Sequence, residues 1–170
     1  MTTVSAQPLS GADRYPGWLQ GAAVGLVAAI AGTIILIAVG ALGGRGTAIL
    51  GQVGMGLWPT AVRSLTGASP AVSYLISHTT LYLVAGIVAL ALARTADRLP
   101  ILLTGLVLVI LVIEFAYLVV MTGSRATGRF DDLTWRSVLI AHLAANVFLL
   151  IGTLWVHPTL KAAFQRSNDE

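Results

Sequence analysis

The chain has 170 residues, of which 56% are hydrophobic and only 10% charged. An ordinary soluble domain carries roughly 25% charged residues, and a domain with the present balance could not cover its surface with polar groups. The composition excludes a soluble enzyme, a disordered tail and a free nucleic-acid-binding module, and it fits a small polytopic membrane protein. The net charge of +3 comes from ten Lys+Arg against seven Asp+Glu. The bases are scattered singly, with no run that would grip phosphates, so no nucleic-acid partner is expected. There is no cysteine, which excludes disulfides, thiolate metal sites and iron–sulfur clusters. A bilayer span needs about 20 apolar residues, so four spans fit and six do not.

Residues 1–17 are polar and turn-rich (Gln7-Pro8, Ser10-Gly11, Tyr15-Pro16) and read as a mobile tail. A single transmembrane domain is expected over 18–157. No charge occurs between Arg14 and Arg45, and the first span is placed at Leu19–Leu42. Its small residues recur at i+4 (Gly21, Gly25, Ala29, and Ala28, Gly32), a pattern that admits close approach of another helix backbone. The stretch Gly43–Pro70 is rich in glycine and a poor continuous helix. Within it, Trp58 to Leu65 has a helix-start Pro59 and an amphipathic look, and is expected as a short interfacial helix.

The second span is expected at Ala71–Ala93, closed by Arg94, Asp97 and Arg98. The third is expected at Pro100–Met121. The short turn makes these two antiparallel neighbours. A polar loop, Thr122–Asp132, precedes a fourth span at Leu133–Val156, with Asp131 or Asp132 as N-cap. His157-Pro158 ends it, His157 reads as an interface histidine, and 158–170 form a polar tail. Trp18 and Trp155 mark one interface, Trp58 and Trp135 the other. The fold class is thus an all-α integral membrane protein, an up-down bundle of four transmembrane helices with a short interfacial helix in the first loop. Lys and Arg tie at five on each side, so the positive-inside rule does not orient the chain. Arg94 and Arg98 in the short turn favour cytoplasmic termini in a bacterial inner membrane.

Three ionisable residues fall deep inside the expected spans: His78, Glu114 and His142. Such residues are costly in a bilayer and mark sites. At about 1.5 Å per residue, His78 and Glu114 lie about 10 Å, and His142 about 13 Å, from the loop-bearing face. Tyr74 and Tyr82 share the helical stripe of His78, Asn146 that of His142, and Tyr117 that of Glu114. A polar layer of His78, Glu114 and His142 ringed by Tyr74, Tyr82, Tyr117 and Asn146 is expected.

Three readings follow. The first is a non-catalytic subunit or assembly module, in which the layer holds helices in register through hydrogen bonds worth about 0.6–2 kcal/mol each. Its partners are the bilayer and other membrane subunits that meet small-residue helix faces. The second is a redox or metal protein, with His78 and His142 on a b-type haem, or both with Glu114 on a divalent metal ion. The third is a path for protons or a small solute, thinly supplied with polar groups elsewhere. No nucleophile elbow, P-loop or dinucleotide motif occurs, and no catalytic residues are assigned.

Overall fold

The computed structural model describes residues 16–57, 67–96, 102–126 and 131–157. The N-terminal tail, the expected interfacial helix at 58–65, Asp97, Arg98, Pro100 and the tail at 158–170 lie outside the described residues. Within them the chain is helical and has no strand. The order is α1 (Gly17–Leu42), α2 (Ala48–Leu57), α3 (Pro70–Ala96), α4 (Leu102–Ala126) and α5 (Asp132–Val156). Three segments are long and apolar enough to cross a membrane: Gly17–Leu42, Pro70–Thr95 and Thr134–Val156. The fourth long helix, α4, holds the apolar stretch Ile110–Val120. This is the make-up of a membrane protein.

α1 packs most extensively, against both α3 and α5. Its small residues are the cause. A Cβ added to Gly21 would stand 2.7 Å from the Ile87 Cα, and one on Gly86 would stand 2.6 Å from the Gly25 nitrogen. Backbone therefore meets backbone where α1 crosses α3. On the α5 side, a Cβ on Gly32 would stand 2.9 Å from that of Ala145, and one on Gly152 would stand 2.8 Å from a Val24 methyl. This small-residue stripe of α1 packs within the chain, against α3 and α5.

α2 departs from the sequence reading. Gly51, Gly54 and Gly56 argue against a helix there, yet Ala48–Leu57 is helical. Tertiary packing outweighs propensity. Ile49, Leu50 and Val53 are buried with Leu36, Tyr74, Val138 and Ala141 in one core cluster. Gly54 is needed because a Cβ there would lie 2.5 Å from the Pro70 carbonyl carbon at the start of α3. The reversal from α1 into α2 is a Schellman turn. Gly44 has φ +74°, its N–H donates to Ala41 O at 2.9 Å, and the Arg45 N–H donates to Gly40 O at 2.8 Å.

Arg45 then clamps this turn to α5. Its guanidinium donates to Asp131, to Gln52 Oε1 at 3.0 Å and to Thr134 Oγ1 at 2.7 Å. Asp131 is also the N-cap of α5, accepting from the Thr134 N–H at 2.8 Å. Arg45, with the Thr134 N–H, holds the Asp131 carboxyl well below the usual carboxylate range. At the opposite end, Arg94 donates to Gln20 Oε1 at 2.6 Å. There His157 caps the end of α5, as its place in the sequence suggests. It is buried, and its Nε2 donates to Ala93 O at 2.7 Å, tying the end of α5 to α3.

α4 is the least covered long helix. Val107, Leu108, Leu111, Val112, Phe115 and Val119 are all exposed. An open apolar groove of about 430 Å³ runs between α4 and α3, with Ser77 and Leu81 on one wall and Val112, Ala116 and Tyr117 on the other.

Candidate functional site

Two apolar clusters stack along the molecule. One centres on Leu36, Val53 and Tyr74, the other on Ala28, Ala29, Tyr82 and Leu149. The polar layer lies at their seam. His78 and His142 are fully buried there, facing each other from α3 and α5 with ring centroids 5.3 Å apart in an edge-on arrangement. Tyr74 stacks on His78 at 5.1 Å from one turn below, and Tyr82 lies at 4.9 Å from one turn above. The i±4 spacing on α3 stacks the three rings.

A chain of hydrogen bonds leads outward from His142. Its Nδ1 meets the Tyr82 hydroxyl at 3.1 Å. That hydroxyl donates to Asn146 Oδ1 at 3.3 Å. Asn146 Nδ2 donates to Glu114 Oε1 on α4. The directions are coupled. Glu114 accepts, so Asn146 turns its amide nitrogen toward α4 and its oxygen toward Tyr82. The Tyr82 hydroxyl has two oxygen acceptors in reach, Asn146 Oδ1 and the His142 carbonyl at 3.4 Å. When its hydrogen goes to either oxygen, it accepts from His142 Nδ1–H, and Nε2 then carries the lone pair. Glu114 is only half-buried and stands at the rim of the layer. Tyr117, also half-buried, lies over the His142 ring. Between them is a cavity of about 10 Å³ lined by Glu114, Tyr117, Trp135, Val138 and His142, at the lower limit for one water molecule.

Among the described residues, four buried side-chain atoms have no hydrogen bond of good geometry: Tyr74 Oη, both ring nitrogens of His78, which lies beside the Ala29 backbone, and His142 Nε2. All belong to the three residues at the centre of the layer. Gly32 of α1 closes it from behind, since a Cβ there would stand 3.2 Å from His78 Nε2.

The sequence places His78, His142, Tyr74, Tyr82 and Asn146 together, and the structure has them in contact. Two expected ligand sets fare differently. A haem between His78 and His142 does not fit, because the ring centroids are only 5.3 Å apart and α1 closes on α3 to backbone contact beside them, leaving no slot for a macrocycle. For the three-ligand set, Glu114 is directed to Asn146. Among the described residues no group of three His, Cys, Asp or Glu is arranged to hold a metal. Gly32 is the residue that sequence reasoning missed. Its place in the small-residue stripe was the available signal, but that stripe reports close packing and not which side chain it packs against.

Compared with known proteins, the sequence matches no family model, and neither a curated protein nor a solved structure matches it.

Proposed function

We propose that the protein is a small integral membrane bundle of four spanning helices, α1, α3, α4 and α5, in up-down order. It acts as a non-catalytic packing or assembly module of a bacterial inner membrane with cytoplasmic termini. The hydrogen-bond chain Glu114–Asn146–Tyr82–His142 carries this reading. It ties α4, α5 and α3 together at mid-depth, where α4 otherwise presents an apolar face to its surroundings. In hydrocarbon the alternative for each group is to go unpaired, so the chain specifies which helix stands beside which. The exposed apolar side chains of α1, α4 and α5 suit contact with lipid.

The proton-path reading is weaker for a chemical reason. A relay along this chain would have to pass through Asn146, whose amide neither gains nor releases a proton in the accessible range.

Unfolding in detergent of Asn146→Ala, Tyr82→Phe and the double variant tests the packing role. Each single change is expected to cost about 0.6–2 kcal/mol. The double variant should cost less than the sum, because the two groups share one chain. Strict additivity with negligible single costs would remove the structural role.

A further inference from the structure

We propose that His78 and His142 form a buried site for a single first-row transition-metal cation of the kind that prefers imidazole, with Tyr74 and water completing its coordination. The inference goes beyond the packing role, which needs no ligand. It rests on the atoms that the hydrogen-bond chain leaves over. Buried polar atoms without partners call for an occupant, and here they are gathered on facing side chains of one layer.

The hydrogen bonds allow the state a ligand needs. With the Tyr82 hydroxyl donating to an oxygen, His142 Nδ1–H is donated to Tyr82 and the Nε2 lone pair is left without a partner. Metal-bound histidines are usually held in this way, the second ring nitrogen donating to a fixed acceptor. His78 in its neutral form also carries one nitrogen lone pair: the Ala29 backbone of α1 lies beside the ring and takes one nitrogen, which leaves the other for the ion.

The spacing agrees. With a metal–nitrogen bond of about 2.0–2.1 Å, a ring centroid stands about 3.2 Å from the ion, and two imidazoles at a near-tetrahedral angle place their centroids about 5.2 Å apart. The observed separation is 5.3 Å. Tyr74, stacked on His78, brings an unpartnered buried hydroxyl to the layer. Room beside His78 depends on Gly32. The donor set is rich in nitrogen, with Glu114 occupied by Asn146, so zinc, cobalt, nickel or copper suit it and magnesium or calcium do not.

The test uses the tag-free full-length protein in detergent, stripped with chelator and titrated with Zn²⁺ and Co²⁺. The expected result is about one ion per chain, visible d–d absorption with Co²⁺, and a higher Tm on Zn²⁺ addition. His78→Gln and His142→Gln should each weaken binding at least tenfold, whereas His157→Gln should not. Tyr82→Phe keeps both ligands and should still weaken binding roughly 10–100-fold, through the lost orientation of His142. The wild-type titration needs no variant to fold. Failure of wild-type protein to take up either ion, or uptake that survives in the His78→Gln, His142→Gln double variant, would overturn the site. A stable metal-free bundle would leave the packing role standing.

Discussion

Asp131 shows how much one side chain does at a helix start. Its carboxylate accepts the Thr134 N–H and holds Arg45, so a single residue caps α5 and fastens the α1–α2 turn to it. The side chain is about half exposed, so the ion pair itself adds little, and the cap is the larger share. Asp131→Ala is expected to cost about 1 kcal/mol at neutral pH. The sign of the pH effect follows from the direction of the shift. Arg45 holds the folded carboxyl below its unfolded value of about 3.9. The stabilisation is therefore complete above that value and is lost as the pH falls through it. Unfolding followed from about pH 7 down to about pH 3 should show the gap between wild type and Asp131→Ala narrowing only at the acid end. A gap that narrowed between about pH 8 and 6 would point to a different group. The sequence offers Asp131 or Asp132 as a cap, because the pair precedes an apolar run, and the structure selects Asp131. The sequence does not announce Arg45, which is 86 positions away and meets Asp131 only through the fold.

At the scale of elements, the glycines divide into those that are contacts and those that are not. Gly25 lies where α1 crosses α3, and a Cβ there would be 2.7 Å from the Tyr82 carbonyl carbon. Gly25→Val should force the two helices apart and destabilise by about 3 kcal/mol or more. Gly51, inside α2, has open space where a Cβ would go, and Gly51→Ala should stabilise by about 0.5–1 kcal/mol through helix propensity. Thermal unfolding of the two variants checks both signs, and equal effects would contradict the packing of α1 on α3. The same contrast explains what the sequence could disclose. The long helices are legible because apolar length alone announces them. The pairing of His78 with His142 is legible because depth along a helix is simple counting. α2 is not, since its glycines lower helix propensity and the burial of Ile49 and Val53 that overrides them is a property of the assembled core. Nor does a sequence say that the oxygen of Asn146 faces Tyr82 and its nitrogen Glu114.

For the whole molecule, the proposed four crossings would require both ends of the chain on one side and the α1–α2 turn on the other. The natural absence of cysteine makes this simple to examine. Ser5→Cys and Ser167→Cys should react with an impermeant thiol reagent from the same side of intact vesicles, and Thr47→Cys only from the opposite side. Labels on opposite sides for residues 5 and 167 would mean an odd number of crossings and would remove α4 from the count. The arrangement also has an unequal grain. α1, α3 and α5 are locked by backbone contact and by polar clamps at both ends, including the His157–Ala93 bond. α4 is attached mainly through the Glu114 bond and a modest apolar seam.

That asymmetry sets a route as well as a shape. His142 is screened from the bilayer side by Tyr117 and the rim residue Glu114, both carried by α4. Anything that reached the imidazoles laterally would have to pass between α4 and the other helices, where the Glu114–Asn146 bond is a polar tie. The three-helix frame can stay rigid through such an event, so the buried layer would exchange its contents without the molecule unfolding.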